Sequence, residues 1–501
     1  MRGRILAGAS TSTKVLVGLF AAHLLLKVVL FPYMSHAPLH GDERYYFDSA
    51  RALSNLVRDL VGFGPVDTAE LKRNLVGNGW FMPGNGILIT PLFLVDPHAS
   101  IVTIRLYLGV VTSLLLLITV IRVRHVLGDL YAAMLLVVPG LIPMWLLFSI
   151  GGWGDLVAGL LIVLLITELV SWIRTLRVGH PPSAWAAVRM GLISIAVVYA
   201  RSSASILVLG MGIVVLFVSL TLLRGRDRVR AVLAGGLAGV VFLLLLAPWS
   251  LFASHSLGGR VITTTSVPTV LANTFGDRDE LCYGPCDPTS TIWFTPVRYA
   301  REVARATDTN ELVVLKEMSA YARQDVTPRS YADDVLMGFA RYTFQPASFS
   351  KDVRSPDHSP EAMHKFILYA TNVMWAFLAV SGIGLLLTVV RRTVDAQVIS
   401  LLVTLGIGSL LTQPFVHIAG SRYWTSAAPL AGIAAALLLF LIDARRAQPR
   451  FSQGTWIMKG DTEHGSAISE PVISRWLTIV QTVLAAAVVL VAVGLVVLAT
   501  I

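Results

Sequence analysis

Long apolar runs constrain the fold of this chain more than any other feature of its sequence. About eleven stretches of roughly 18 or more mostly apolar residues occur, and a membrane-crossing helix needs a run of about that length. The predicted spans are residues 14–32, 100–121, 130–149, 155–173, 186–200, 203–223, 230–252, 366–390, 397–416, 424–443 and 474–499, of which 186–200 is the shortest. The chain is 55% hydrophobic and only 14% charged, so these runs dominate it. The sequence therefore predicts an all-α, polytopic membrane protein.

The arginines between the spans set the predicted orientation. They gather in alternate short loops, and by the positive-inside rule such loops face the cytoplasm. These are Arg2, Arg4, Arg122, Arg124, Arg174, Arg177, Arg224, Arg226, Arg228, Arg230, Arg391, Arg392, Arg445 and Arg446. The N-terminus is then cytoplasmic. This distribution accounts for the net charge of +10, so nucleic acid is not a predicted partner. The excess of Arg over Lys and the many Ala, Val and Leu residues suit a GC-rich bacterial genome, so the predicted location is the bacterial plasma membrane.

Two large outer segments, residues 33–99 and 254–365, follow from this orientation. They contain Trp, Tyr and Pro and few runs of charge, so we expect them to be folded. The predicted divisions of the chain are 1–253 with spans one to seven, the outer region 254–365, 366–443 with three further spans, the cytoplasmic linker 444–473 and the last span in 474–501. A signal peptide is the alternative interpretation of the first run, because Ser35-His36-Ala37 resembles a cleavage site, but the many further spans favour an uncleaved helix.

Both cysteines of the chain lie in the second outer segment, in the sequence CYGPC. Outside a bacterial membrane, two cysteines as close as Cys282 and Cys286 most simply form a local disulfide. A zinc site needs more ligands than are nearby, and a redox motif needs a two-residue spacing. Free thiols remain the alternative.

Three acidic residues begin helices on the predicted outer face. Asp42 and Glu43 stand at the start of an amphipathic helix that we expect to lie along the membrane surface. Its predicted apolar face consists of Tyr46, Ala50, Leu53, Val57 and Leu60. Asp155, in SIGGWGD, begins a membrane span. Each acid also suits a capping role at a helix N-terminus. Ionisable residues at a membrane boundary are nevertheless functional candidates.

Arginines are exceptional in the short outer turns, but Arg201 and Arg422 lie there. Arg260 follows the span that ends in APWS and lies on the same predicted face. A planar guanidinium is well suited to bind phosphate. The alternative is that these side chains only snorkel to the interface.

Acids and arginines at the boundary of lipid and water suit glycosyl transfer from a lipid phosphate. The phosphate is already a competent leaving group, so one carboxylate is enough to deprotonate the acceptor hydroxyl. Cationic groups stabilise the charge that develops on the departing phosphate. A single displacement inverts the anomeric centre, whereas glycosidases generally need two carboxylates that flank the bond.

Several short motifs, spread from residue 14 to about 443, are similar to those of a known superfamily. They are GDERYY at 41–46, Pro83-Gly84, Asp155, YARSSA at 199–204, APWS at 247–250, TTTS at 263–266 and HIAGSRYWTSAAPL at 417–430. In order and spacing the chain resembles the GT-C glycosyltransferases that use polyprenyl-phosphate sugars. Within that superfamily it most resembles the family 39 protein O-mannosyltransferases and the lipid A aminoarabinose transferases.

The resemblance implies a role for each matched residue. Asp42 corresponds to the catalytic base, Glu43 to the second acid of its pair, and Asp155 to an acid that assists catalysis or acceptor binding. The residues expected near the lipid phosphate are Arg201, Arg422 and Arg260, and those expected to bind substrate are Tyr45, Tyr46, His417 and Tyr423. The chain departs from the pattern after Pro248-Trp249, where Ser250 and Leu251 replace the Arg-Asn of related enzymes. The last span and residues 444–473 lie outside the resemblance.

The predicted function is inverting transfer of a sugar, such as mannose or arabinose, from a polyprenyl phosphate to an acceptor hydroxyl on a glycan, lipid or protein. No cofactor is required, although a divalent cation at Asp42 or Glu43 stays open. The alternatives are a transporter or flippase of lipid-linked substrates, and an oligosaccharide ligase. Transporters place polar groups near the midplane of the bilayer and in repeated halves, whereas here they gather at one face. The sequence does not specify the sugar or the acceptor.

Overall fold

The computed structural model describes residues 11–39, 41–285, 294–344, 360–390, 393–417, 424–443 and 470–500, and these residues contain helices but no strand. The α-helices are α1 Thr11–Leu30, α2 Pro32–Ser35, α3 Asp42–Val61, α4 Thr68–Glu70, α5 Gly84–Val95, α6 Ile101–Val126, α7 Asp129–Val137, α8 Pro143–Phe148, α9 Asp155–Arg177, α10 Ala184–Ala200, α11 Ser205–Leu222, α12 Gly225–Leu257, α13 Val267–Phe275, α14 Thr295–Ala306, α15 Glu311–Tyr321, α16 Pro328–Phe344, α17 Pro360–Val390, α18 Val394–Leu411, α19 Trp424–Asp443 and α20 Glu470–Thr500. A π-helical turn spans Leu71–Val76, and short 3-10 turns span Ser202–Ala204 and Gln413–Phe415.

Nine helices in the described part of the chain are long and apolar enough to cross a membrane. They are Thr11–Leu30, Ile101–Val126, Asp155–Arg177, Ser202–Leu222, Gly225–Leu257, Thr371–Thr388, Val394–Phe415, Trp424–Ile442 and Arg475–Thr500. The predicted all-α, multi-pass membrane fold is thus confirmed, whereas the predicted count of eleven spans is not.

Two predicted spans account for the difference. The span 130–149 is wrong as a single helix, because the structure divides this segment between α7 and α8. Pro139 and Pro143 lie between or at the start of these helices, and a proline lacks the N–H that would continue the helical hydrogen bonds. The span 186–200 is helical, but α10 has only 17 residues.

Helix α9 occupies the centre of the protein. It contacts α6, α10, α11, α18 and α19. Of the residues in its 18-residue apolar stretch, 89% are buried. A helix that is apolar on all sides is stable only when neighbours surround it, and the sequence of α9 is apolar almost throughout. Close approach is helped by Gly159, where a Cβ atom would lie closer than 3.0 Å to the carbonyl oxygen of Ser426. Asp155 therefore begins the most enclosed of the membrane helices.

The described part of the predicted outer region is helical and packed. Helix α15 contacts both α13 and α14, and α14 and α15 share a small core that includes Val297, Leu315 and Met318. The amide of Asn310 donates to the carbonyl oxygens of Leu257 (3.1 Å) and Gly258 (2.5 Å), which ties this core to the end of α12.

Cys282 is buried in the same core and is disulfide-bonded. Cys286, the only other cysteine of the chain, lies outside the described residues. The pairing of the two therefore stays a prediction.

Candidate active site

Helix α3 presents two different faces at its N-terminal end. Gly41 precedes it with a φ of 54°, a backbone conformation that suits glycine. Glu43, Phe47 and Ala50 are buried, whereas Asp42 keeps partial exposure. The two adjacent acids thus point into different surroundings.

The predicted apolar face of α3 is wrong in part. Ala50 is buried, but Val57 is 37% and Leu60 58% exposed. The packed face instead follows Glu43, Phe47, Ala50 and Ser54, which recur three or four positions apart and so share one side of a helix. Glu43 belongs to this face because an ion pair compensates its burial.

Glu43 lies in a fully buried network with Arg105 of α6. The side chains of both residues are 0% exposed. Arg105 donates from Nη1 to Oε1 of Glu43 and from Nη2 to Oε2 at 3.0 Å, and the Gly152 N–H donates to Oε1 at 2.7 Å. Arg105 also donates to the carbonyl oxygens of Ala37 (3.3 Å) and Pro38 (3.4 Å). Glu43 therefore braces α3 against α6 and against the loop that leads to Asp155.

Asp155 and Arg201 are brought together as an ion pair between the start of α9 and the end of α10. Nη1 of Arg201 contacts Oδ1 of Asp155, and the two side chains are 13% and 4% exposed. Nε of Arg201 also donates to the Ser203 hydroxyl at 3.0 Å. The predicted assisting acid and the predicted phosphate-binding arginine thus neutralise each other. The sequence predicted both residues for the site but did not predict that they pair, and the binding of phosphate by Arg201 stays a prediction.

Two glycines allow these elements to meet. A Cβ atom on Gly84 would lie closer than 3.0 Å to the carbonyl of Tyr199, and one on Gly154 closer than 3.0 Å to the Asn85 amide. Interiors are packed without room for extra atoms, so a side chain at either position requires the backbones to separate. The Pro83-Gly84 step and the glycine-rich approach to Asp155 therefore serve close packing. We call the starts of α3, α5 and α9 together with the end of α10 the acidic cluster.

The APWS and TTTS motifs hold each other and the loop next to α3. Trp249 Nε1 donates to the carbonyl oxygen of Thr263 at 2.8 Å. The Thr265 hydroxyl donates to the carbonyl oxygen of Asn78 at 2.6 Å, and the Thr265 N–H donates to that of Gly79 at 2.9 Å. These contacts connect the end of α12 to residues 77–80. Both motifs thus have a structural explanation.

The remaining predicted site residues fall in different places. Arg260 is exposed in the loop after α12, and His417 is partly exposed after the 3-10 turn Gln413–Phe415. Arg422 and Tyr423 lie outside the described residues. Tyr45 and Tyr46 line a recess between α3 and residues 74–82. Burial raises the pKa of Tyr45, with a smaller contribution from Asp48.

Arg105 is the main residue that sequence reasoning missed. A signal was present, because Arg105 lies inside a predicted span, where an ionisable side chain indicates a buried partner or a function. Its position did not identify that partner, since Glu43 is 62 residues away. Among the described residues, no group of three or more His, Cys, Asp and Glu side chains is placed to hold a metal ion.

No protein family and no curated protein match this chain by sequence. Solved structures that are similar to it include the following two. One is the archaeal oligosaccharyltransferase AglB from Archaeoglobus fulgidus, in complex with an inhibitory peptide and a dolichol-phosphate, with a TM-score of 0.45, 13% identity and coverage of 94% of this chain and 56% of that one. The other is ArnT from Cupriavidus metallidurans in the apo state, with a TM-score of 0.35, 17% identity and coverage of 85% and 78%.

The present chain thus spans little more than half the length of the AglB structure. With both TM-scores below 0.5, neither match carries a residue's role or a substrate onto this chain.

Proposed function

We propose that this chain is an inverting GT-C-type glycosyltransferase that moves a sugar from a polyprenyl phosphate to an acceptor hydroxyl. The observation that carries the proposal is the acidic cluster, in which the buried Asp155–Arg201 ion pair follows a loop whose Gly152 N–H donates to Glu43 at the start of α3. Glu43 and Asp155 are buried in ion pairs, whereas Asp42 keeps partial exposure beside them. Asp42 is therefore the carboxylate of the cluster that a substrate reaches.

The proposed reaction is a single displacement. The acceptor oxygen attacks the anomeric carbon while the bond from that carbon to the phosphate oxygen breaks. The electron pair of the broken bond leaves with polyprenyl phosphate, and Asp42 takes the hydroxyl proton as general base. Solvent then receives this proton from Asp42, which restores the enzyme.

The Asp155–Arg201 pair gives the two residues linked roles. Asp155 positions the guanidinium of Arg201 at the end of α10, and Arg201 stabilises charge on the departing phosphate. A hydrogen-bonding side chain that is held in place before the reaction costs no reorganisation in the transition state. Arg422 remains the predicted second cation. In this proposal Glu43 is also a positioning residue, because it binds Arg105 and Gly152 rather than substrate.

The decisive experiment compares turnover with donor binding in the Asp42→Asn variant. Purified full-length protein in lipid nanodiscs is incubated with polyprenyl-phosphate mannose, arabinose and related donors, and consumption of each is followed. General-base catalysis contributes about 10²–10⁴-fold, so we expect a loss of that size while undecaprenyl phosphate still binds. Asp59→Asn, the same change of charge near the other end of α3, is the matched control and retains activity. Wild-type turnover in Asp42→Asn would show that Asp42 only stabilises the start of the helix.

A transporter or flippase predicts a different outcome. Such a protein moves a fluorescent polyprenyl-phosphate sugar between the leaflets of a liposome without consuming it. Chemical consumption of a donor in detergent, where no leaflets exist, supports the transferase. Leaflet exchange without consumption supports the transporter instead.

The orientation of the site is tested by labelling of single cysteines. Cysteines are placed at Ser290 and Ser452 in a background without Cys282 and Cys286, and intact cells receive an impermeant thiol reagent. By the positive-inside rule we expect labelling at position 290 and protection at 452. The reverse pattern places the acidic cluster on the cytoplasmic side and removes the proposed donor from its reach.

A further inference from the structure

A second buried carboxylate of α9 lies between two arginines, far from the acidic cluster. Glu168 pairs with Arg122 of α6 at 2.8 Å and with Arg189 of α10 at 3.1 Å. It follows Asp155 by 13 residues of the same helix, which is about 20 Å at a rise of about 1.5 Å per residue. The proposed reaction uses none of these three residues, which we call the arginine–glutamate group.

The arginine–glutamate group has more positive than negative charge. Guanidinium groups stay protonated in proteins, and two of them face one carboxylate. Neither Arg122 nor Arg189 makes another ion pair within the described part of the chain. The group therefore carries an excess of at least one positive charge.

The hydrogen bonds of both guanidinium groups are also incomplete. Nη2 of Arg189 donates to Glu168 at 3.1 Å, and Nη2 of Arg122 donates to the Ser171 hydroxyl at 3.3 Å. The Nε atoms of both arginines are buried and have no hydrogen-bond partner among the described residues. A guanidinium has five N–H donors, and a buried donor without an acceptor costs free energy. Both arginines thus have donors for a further acceptor.

The excess charge lies inside the helical bundle and not at the helix ends. Glu168 stands nine residues before the end of α9 and is 6% exposed. Arg122 stands four residues before the end of α6, and Arg189 five residues after the start of α10. Helices α6 and α9 are both long and apolar enough to cross a membrane. A net charge at this depth is costly unless an ion of opposite sign accompanies it.

The arginines in the last turn of α9 provide a contrast. Arg174 and Arg177 share Asp395 at 3.0 and 2.7 Å, and the Asp395 side chain is 39% exposed. Water therefore hydrates that carboxylate, whereas Glu168 lies deeper. A surplus of arginine needs no special ligand at the helix end, but it does at Glu168.

The exposed face of α10 indicates which anion fits. Trp185, Arg189 and Leu192 occupy positions i, i+4 and i+7 of this helix, so they share one side. Trp185 is 62% and Leu192 42% exposed, and the Arg189 side chain is 39% exposed. Trp is enriched at the level of the lipid headgroups, which places Arg189 one turn further into the bilayer. The face thus presents an aromatic ring, a cation and an aliphatic side chain in the order headgroup, phosphate and acyl chain of a phospholipid.

We propose that Arg122 and Arg189 bind the phosphate of an anionic phospholipid whose acyl chains lie along the exposed face of α10. One negative headgroup neutralises the excess charge and accepts the free N–H groups. Basic pockets between membrane helices on the cytoplasmic side bind such headgroups, and the positive-inside rule assigns this end of α9 to the cytoplasmic leaflet. The inference goes beyond the proposed function, because the binding needs no catalysis.

The test is native mass spectrometry of the full-length protein in detergent, titrated with phosphatidylglycerol or with zwitterionic phosphatidylcholine. We expect phosphatidylglycerol to bind more tightly. Arg189→Gln removes the excess charge but keeps the Arg122–Glu168 pair, so it should fold and bind phosphatidylglycerol about 5-fold more weakly, the size expected for one basic residue near an anionic surface. Arg124→Gln is the matched control. It removes one positive charge at the same end of α6, but Arg124 pairs with Asp129, and binding should not change.

Glu168→Gln should act in the opposite direction. It raises the excess to two positive charges, so phosphatidylglycerol should bind about 5-fold more tightly, which a purely structural role of the arginines does not predict. Should Glu168→Gln fold poorly, the comparison of Arg189→Gln with Arg124→Gln decides.

Two results overturn the site, namely equal affinity of the wild type for both lipids and equal affinity of the wild type and Arg189→Gln for phosphatidylglycerol. An excess of inorganic phosphate identifies the source of the anion. Phosphatidylglycerol that stays bound in its presence supports the lipid, whereas displacement shows that the ligand is a soluble anion and overturns the lipid assignment.

Discussion

Adjacent carboxylates at the start of α3 should respond in opposite ways to the loss of charge. Glu43→Gln removes the negative charge from a network in which both Glu43 and Arg105 are 0% exposed. The Arg105 guanidinium then stays buried without a counterion. Breaking one side of a buried ion pair costs about 3–5 kcal/mol. That loss is a large share of a typical unfolding free energy of about 5–15 kcal/mol.

Asp42→Asn is the matched comparison one residue away. Asp42 is partly exposed at the helix start, and Asn retains most of the ability of Asp to serve at a helix N-terminus. We expect its unfolding free energy to fall by less than about 1 kcal/mol, while turnover is lost. Glu43→Gln should instead lose folded protein first.

The double variant Glu43→Leu/Arg105→Met tests whether the single variants lose stability because a charge is left unpaired or because the side-chain packing changes. It removes both charges, so no unpaired ion remains. The Gly152 N–H loses its acceptor and the carbonyl oxygens of Ala37 and Pro38 lose a donor, at a cost of about 1–3 kcal/mol for each group left unsatisfied. We expect the double variant to be more stable than either single one. The assay is the fraction folded in detergent against added SDS, read by tryptophan fluorescence. Wild-type stability of Glu43→Gln, or a double variant no better than the singles, would refute the buried pair.

Three further perturbations test the packing around the cluster. Gly84→Ala forces a Cβ atom against the Tyr199 carbonyl, so the SDS midpoint should fall by the equivalent of about 1–3 kcal/mol. In a double-mutant cycle, Asp155→Asn and Arg201→Gln should be non-additive by about 0.5–3 kcal/mol, and additive losses contradict their pairing. Thr265→Val removes the hydroxyl that donates to the Asn78 carbonyl oxygen, so the unfolding free energy should fall by about 0.5–1.5 kcal/mol.

Local periodicity predicted the parts of this fold that depend on local sequence. Runs of apolar residues identified the membrane helices, and the acids that begin α3 and α9 were placed correctly at helix starts. The break between α7 and α8 was missed because hydropathy counts Pro139 as an ordinary residue of an apolar run, although it cannot continue the hydrogen bonds of a helix.

The ion pairs between distant parts of the chain could not be predicted from the sequence. Glu43 and Arg105 are 62 positions apart, and Asp155 and Arg201 begin or follow different helices. Which charges meet depends on how helices pack, and single-sequence patterns carry no information about that packing. The same limit applies to the recess, whose two walls come from α3 and from the loop that Thr265 holds.

The enclosure of α9 has a consequence for motion. A helix surrounded by five neighbours cannot tilt or slide unless all of them repack, so its backbone amides should be among the slowest in the protein to exchange with deuterium. In the 18-residue apolar stretches of α1, α12 and α20, only 17%, 17% and 6% of the residues are buried. Displacement of these helices therefore disturbs far fewer contacts. Displacement of these outer helices is therefore expected to leave α9, and Asp155 at its start, in place.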